Sequence, residues 1–142
     1  MIHKSVLLAC STERAFNLFT QQASQWWPPD RRHTGDPNST IEMSADGRFV
    51  ERGATGDPVE LGRITAWSPP SRLEVDFYVA SGPQRPTLLV VTFAPEGKST
   101  RITIDHGPGP NSQEVWNTRA TAYDASWTLL LAALEHHALA HA

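Results

Sequence analysis

The chain has 142 residues, of which 39% are hydrophobic and 19% are charged, and twelve basic against fifteen acidic residues leave a formal net charge of −3. This length and composition predict a single globular domain over residues 1–142 with one packed core, and they argue against a disordered chain. Nucleic acid is disfavoured as a partner, because the one basic run, Arg31-Arg32-His33, is short and lies in a proline-rich stretch.

The first part of the sequence predicts a strand followed by two short helices. Residues 2–9 form the strand, and Ser11 offers a hydroxyl N-cap to the first helix. A second helix over residues 21–27 ends at Trp26-Trp27, because Pro28-Pro29 removes backbone donors and disfavours helical geometry in the preceding residue.

The middle of the sequence, after a loop over residues 31–39, predicts six more strands. The segment 72–80 has the clearest pattern, since apolar and polar side chains alternate along it as they do in a half-buried strand. Short consecutive strands joined by tight turns indicate antiparallel pairing, because parallel pairing needs long crossovers. The predicted strands cover residues 40–44, 48–54, 59–67, 72–80, 88–93 and 101–106.

The last part of the chain, beyond a Gly- and Pro-rich segment over residues 107–113, predicts one long amphipathic helix. Its apolar residues recur at steps of three and four: Trp116, Ala120, Tyr123, Trp127, Leu130, Leu131, Leu134 and Ala138. This stripe has to be buried against a sheet. The order of elements therefore favours an α+β fold, in which a curved antiparallel sheet of about six to seven strands wraps around the C-terminal helix, and two short helices follow the first strand.

The segment LGRITAWSPPSRL, residues 61–73, resembles the bacterial relatives of the activator of heat-shock protein 90 ATPase, which belong to the START-like (SRPBCC) superfamily. Other stretches agree in the same order along the chain, at residues 11–16, 92–97, 103–106 and 122–127. The resemblance implies a helix-grip fold, which is known to host lipid carriers, hormone receptors, cyclases and co-chaperone domains. The loop over residues 31–38 carries no motif of the family.

Motifs for catalysis or metal binding are weak. His137 and His141 stand four residues apart near the end of the long helix, where cationic groups commonly meet the helix dipole. Cys10 is expected to be a buried, inert thiol. Strand alternation separates Asp105 from His106, and we expect His106 at the rim, hydrogen-bonded to the backbone. We therefore assign no catalytic residue, no metal and no cofactor.

Aromatic residues give the more positive signal, because a sheet wrapped around one helix leaves space at the end where the sheet opens. Most of the rings are expected to be core, and the others to line a pocket. We predict that this cavity binds a small hydrophobic or lipid-like molecule without covalent chemistry. The predicted ligand-binding residues are Trp26, Trp27, Phe49, Trp67, Phe77, Tyr123, Trp127 and His106.

Two other functions stay open. A cyclase or dehydratase could work in the same cavity, with His106 or Tyr123 as its acid or base. A contact with a chaperone is the weaker alternative, because that activity in the family also involves a separate domain. A homodimer is also left open.

The sequence also bears on the location of the protein. The single cysteine cannot form an intrachain disulfide or a site of several thiolates. No apolar run approaches the ~20 residues of a membrane-spanning helix, and the apolar part of the N-terminus is too short for a signal peptide. We therefore expect a cytoplasmic protein that does not insert into membranes.

Overall fold

A computed structural model describes residues 1–141, which form seven strands, three α-helices and one 3-10 turn over Pro29–Arg31. The helices are α1 Thr12–Phe19, α2 Ala23–Trp26 and α3 Gln113–Ala140. The strands are β1 Ile2–Leu8, β2 Thr40–Met43, β3 Arg48–Arg52, β4 Val59–Ser68, β5 Arg72–Phe77, β6 Thr87–Glu96 and β7 Ser99–Gly107.

All seven strands belong to one antiparallel sheet with the order β1-β7-β6-β5-β4-β3-β2. The sheet curls around α3, so the predicted helix-grip fold is confirmed. Register shifts in β3 and β4 mark irregularities of the kind that bend a strand. Gly62 lies where β4 approaches β5, and a Cβ atom there would come within 2.5 Å of the Asp76 carbonyl oxygen.

The ends of the short helices follow from local chemistry. The Ser11 hydroxyl accepts a hydrogen bond from the Arg14 backbone N–H at 3.2 Å, which confirms the predicted N-cap of α1. The second helix is shorter than predicted, because residues 20–22 form a turn before α2 begins at Ala23. It ends before Pro28, as expected from the missing donor.

Helix α3 buries the predicted stripe. Its buried residues are Trp116, Tyr123, Trp127, Leu130, Leu131 and Leu134, and Ala120 and Ala138 pack at the edge of the same cluster. The helix register inferred from the spacing is therefore confirmed. No helix within residues 1–141 is long and apolar enough to cross a membrane.

Three strand boundaries differ from the sequence prediction for identifiable reasons. Strands β6 and β7 reach Glu96 and Ser99, because Gly97 adopts a positive φ of 62° and allows a two-residue turn. Strand β5 stops at Phe77 rather than at residue 80, because the chain turns there, with the Ser81 N–H donating to the Tyr78 carbonyl at 3.1 Å.

Candidate functional site

A cavity of about 190 Å³ lies between α3, the end of β5 and the segment of residues 27–33, called here the 27–33 segment. Its buried lining consists of large apolar and aromatic side chains, whereas its exposed and half-buried lining is mostly polar or charged. The inner wall is therefore apolar and the mouth polar. The lining residues are Trp27, Asp30, Arg31, Arg32, His33, Phe77, Val79, Ala80, Arg119, Ala122, Tyr123, Ser126, Trp127 and Leu130.

The 27–33 segment is held in place largely by its own side chains. The Trp27 indole N–H donates to the Arg31 carbonyl oxygen at 3.2 Å. The Arg32 guanidinium donates to the carbonyl oxygens of Ser24 and Trp27, at 2.9 and 2.8 Å, and to that of Ser39. Arg32 therefore acts as a clamp that joins this wall of the cavity to α2 and to the loop before β2.

The fully buried carboxylate of Glu51 anchors the loop that continues from this wall. It accepts hydrogen bonds from the backbone N–H groups of His33 and Thr34, at 2.7 and 2.9 Å, and from the hydroxyls of Thr34 and Ser39. Burial acts to raise the pKa of the Glu51 carboxyl, but these donors together outweigh it and hold the pKa below its ordinary value. The loop is therefore tied to β3 by an ionised group.

His106 lies behind the cavity wall and is fully buried. Its Nδ1 accepts the indole N–H of Trp127 at 3.0 Å, and its Nε2 lies 2.8 Å from the Thr87 hydroxyl. An indole can only donate, so the Nε2 atom carries the proton and donates to Thr87. The expectation of a rim residue bonded to the backbone was wrong, because two side chains on neighbouring elements engage the ring.

The environment of His106 decides its charge. Burial, with a smaller contribution from the N-terminal ammonium group, lowers the pKa of His106 from 6.5 to about 4. The ring is therefore neutral near pH 7. Since both nitrogens are engaged within the core, His106 has no free lone pair to offer as a general base.

Tyr123 lines the cavity and has its hydroxyl engaged as well. The O–H donates to the Val79 carbonyl oxygen at 2.6 Å. Burial raises the pKa of Tyr123, although nearby Ser81, Thr87 and Arg119 act in the opposite direction. The phenol is therefore a neutral polar group at the cavity wall, with its proton directed to the backbone.

The sequence can now be placed among known proteins. The family described as "Activator of Hsp90 ATPase homolog 1-like protein" matches residues 9–138. The chain belongs to this family. No curated protein sequence matches the chain significantly.

Solved structures similar to this family member share its fold. The self-sacrificing resistance protein CalC from Micromonospora echinospora has a TM-score of 0.74 at 22% identity, with 96% of this chain and 92% of that chain covered. Protein Ms6760 from Mycobacterium smegmatis has a TM-score of 0.63 at 15% identity, with 99% and 91% covered. The anthrahydroquino-gamma-pyrone synthase Txn09 has a TM-score of 0.56 at 28% identity, with 94% and 86% covered.

The structure divides the sequence-predicted site residues into two groups. Four of them line the cavity: Trp27, Phe77, Tyr123 and Trp127. The other four are not in its lining: Trp26, Phe49, Trp67 and His106. Of this second group, Trp26 donates its indole N–H to the Leu18 carbonyl oxygen at 2.7 Å, and Trp67 packs edge-on against Phe16 at 5.1 Å. These rings serve the packing of the core.

Charged residues at the mouth were missed by the sequence reasoning. Arg31, Arg32 and Arg119 line the cavity, together with Asp30. Arg119 could have been found, because it precedes Tyr123 by four residues and so shares its face of α3. The run at residues 31–33 begins the loop over residues 31–38, and nothing local in the sequence reveals that its charged side chains face α3.

The remaining reactive groups lie elsewhere. Cys10 is half-buried, and burial raises the pKa of its thiol, which fits the expected inert state. The rings of His137 and His141 stack with centroids 4.2 Å apart, and the His141 Nδ1 lies 2.9 Å from the His137 carbonyl oxygen. Within residues 1–141 there is no group of three or more histidine, cysteine or acidic residues placed to hold a metal.

Proposed function

We propose that this member of the family binds a small, mostly apolar molecule in the cavity between α3, β5 and the 27–33 segment. The observation that carries the proposal is the wall itself, where Trp27, Phe77, Tyr123 and Trp127 meet around an unfilled space of about 190 Å³. Ligand sites are typically concave, lined by apolar and aromatic side chains, and supplied with a few polar groups.

The volume favours a compact ligand. Pockets for drug-sized molecules measure roughly 300–1,000 Å³, whereas an apolar cavity of about 150 Å³ accommodates benzene. A space of about 190 Å³ therefore suits a molecule of one or two rings. A lipid-like molecule would require the 27–33 segment to move away from α3.

The proposal includes no covalent step, because the two candidate acid-base groups already have partners. His106 is bonded to Trp127 and Thr87, and Tyr123 donates to Val79. One observation favours an enzyme as the second candidate, namely the 28% identity to the synthase Txn09. Turnover of a polyketide-type substrate with an essential ionisation near neutral pH would support that reading, and it would place the acid-base group outside His106.

Binding can be tested with a pair of neighbouring substitutions on α3. Ser126 is half-buried and lines the cavity, whereas Ala125 is exposed and is not part of its lining. The Ser126→Phe variant should fill the cavity and abolish binding of one- and two-ring aromatic compounds, whereas Ala125→Phe should bind as the parent does. Isothermal titration calorimetry at several temperatures should give a negative heat-capacity change for the parent, because apolar surface is buried.

The outcome can contradict the proposal in two ways. No binding by the parent across the panel would remove the small-molecule function. Binding that is equal in Ser126→Phe and Ala125→Phe would mean that the ligand occupies another part of the molecule.

A further inference from the structure

The lining of the cavity has a charge opposite to that of the whole protein. Three arginines, Arg31, Arg32 and Arg119, line it against one carboxylate, Asp30, although the chain carries a formal net charge of −3. Arg32 donates to carbonyl oxygens, which do not neutralise its charge. The mouth of an apolar cavity is therefore cationic.

Arg31 carries a donor without an acceptor. Its Nε atom is buried and has no hydrogen-bond partner within residues 1–141. A buried N–H group that lacks a partner is unfavourable, and native proteins rarely leave one in that state. The Nε atom itself is shielded from solvent, so a bound molecule would meet the terminal nitrogens of this half-buried side chain, which lines the cavity.

Arg119 adds a second guanidinium at the same cavity. It is exposed on α3, one turn before Tyr123, and its charge acts on the Tyr123 hydroxyl. No ion pair within residues 1–141 involves Arg31, Arg119 or Asp30. The two guanidinium groups are thus not paired directly with any carboxylate in the described part of the chain.

We propose that the ligand of this cavity is an aromatic acid, whose rings contact Trp27, Phe77 and Trp127 and whose carboxylate binds Arg31 and Arg119. This inference rests on the proposed function and specifies its ligand class. Guanidinium groups match the planar geometry of a carboxylate and form charge-assisted hydrogen bonds with it, which are stronger than bonds between neutral groups. The apolar wall and the cationic mouth then recognise the two parts of one molecule.

The test uses probes of the same size and ring system whose polar group is either an anionic carboxylate or a neutral amide: benzoate against benzamide, and naphthalene-2-carboxylate against naphthalene-2-carboxamide. Calorimetry on the parent should give an affinity for each acid about tenfold or more above that of its amide. The Arg31→Gln and Arg119→Gln variants should each reduce this preference. Arg72→Gln should not, because Arg72 is exposed at the far end of β5 and pairs with Glu74.

The results separate this inference from the proposed function. Acid and amide binding with equal affinity would overturn the assignment of an acidic ligand and leave apolar binding intact. A preference for the acid that persists in both cavity variants would also overturn it, since the charge would then be recognised elsewhere. Failure of all four probes to bind would remove both proposals. If a variant does not fold, equal affinity of the parent for acid and amide still overturns the inference.

Discussion

The aromatic core has one end that is fully packed, under α1, and one end that leaves a cavity, under the 27–33 segment. Both ends contain tilted and edge-on ring contacts of the same kind. At the packed end, Phe16 and Phe19 of α1 meet Phe93 of β6 at centroid distances of 5.1 and 5.8 Å. At the open end, Phe77 lies 6.2 Å from both Tyr123 and Trp127, yet a cavity remains beside them. A regular helix covers the sheet at the packed end, whereas the irregular 27–33 segment covers the open end. Space remains where the covering element presents mostly polar and charged side chains beside a single ring, Trp27.

Replacing leucine by alanine at two positions of α3, one at each end of the core, should measure this difference in packing most directly. Leu134 is fully buried and is not part of the cavity lining, whereas Leu130 lies on the cavity wall one turn earlier. Leu134→Ala should destabilise the protein by about 3–5 kcal/mol, because it creates a new void. Leu130→Ala should cost about 2 kcal/mol, since its side chain already borders empty space and makes fewer contacts. Urea unfolding at pH 7 gives both values.

Equal losses for the two leucines would break the comparison, because the open end would then be packed as tightly as the other. If unfolding is measured with ligand present, the destabilisation caused by Leu130→Ala should rise toward that caused by Leu134→Ala. The reason is that the ligand fills the space beside Leu130 in the parent, so the leucine side chain has more contacts to lose.

The second largest effect should come from the neutral His106 behind the open end. Its pKa of about 4 lies below the ordinary 6.5, so the unfolded chain binds a proton more readily between these values. The free energy of unfolding should therefore fall by about 3 kcal/mol as the pH drops from 6.5 to 4. Denaturation followed across this range in the parent and in His106→Gln measures it.

A matched substitution separates His106 from the other histidines. His136 is exposed on α3, so His136→Gln should keep the parent's pH dependence, whereas His106→Gln should lose most of it. A His106→Gln variant with an unchanged slope would mean that the ring is accessible to protons in the folded state.

The fold was predictable from sequence because its signals are local. The alternation along β5 and the three-and-four spacing along α3 can be seen within one element, and both patterns are confirmed. The residues that line the cavity were harder to predict from local patterns. His106 is engaged by Trp127, 21 residues later on another element, and only the three-dimensional arrangement shows that this bond takes His106 out of the cavity.

Glu51 is a site that sequence reasoning could have found. It follows Phe49 by two residues, so strand alternation places both on the inner face of the sheet. A carboxylate on an apolar face requires hydrogen-bond donors, and residues of the 31–39 loop supply them. What the sequence could not indicate is which backbone N–H groups would turn toward it.

Loss of the Glu51 charge should have a smaller effect than the two changes above. Glu51→Gln should cost about 1–3 kcal/mol at pH 7, because an amide accepts fewer hydrogen bonds and brings its own donors to buried N–H groups. Since the pKa is lowered in the folded state, this contribution is present above about pH 4.3 and is lost as the pH falls through the folded-state pKa. Hydrogen exchange at His33 and Thr34 should quicken.

The matched change on the neighbouring strand is Glu42→Gln. Glu42 pairs with Arg52 at the surface, where such pairs contribute less than about 1 kcal/mol. An effect of Glu51→Gln no larger than that of Glu42→Gln, with unchanged exchange in the loop, would contradict its role as the anchor of the open end.

The smallest effect concerns the turn that borders the cavity. Ala80 has a positive φ of 65° at the third position of the turn closed by Tyr78 and Ser81, where glycine is usually favoured. A left-handed conformation costs an L-residue about 1–2 kcal/mol, which glycine avoids. Glycine also gains more conformational entropy in the unfolded chain, and this reduces the net stabilisation by about 0.5–1 kcal/mol. Ala80→Gly should therefore stabilise the protein by about 0.5 kcal/mol, measured by urea unfolding.

The control is the same substitution in a regular strand. Ala94 is exposed in β6, so Ala94→Gly should destabilise by about 0.5–1 kcal/mol, with the opposite sign. Destabilisation by both changes would mean that Ala80 is not strained. If the signs differ as expected, the strain has a structural reason, because the turn at Ala80 presents the Val79 carbonyl oxygen to the Tyr123 hydroxyl at 2.6 Å. That bond fixes Tyr123 at the cavity wall, so the open end contains a strained turn next to a position where a ligand would bind.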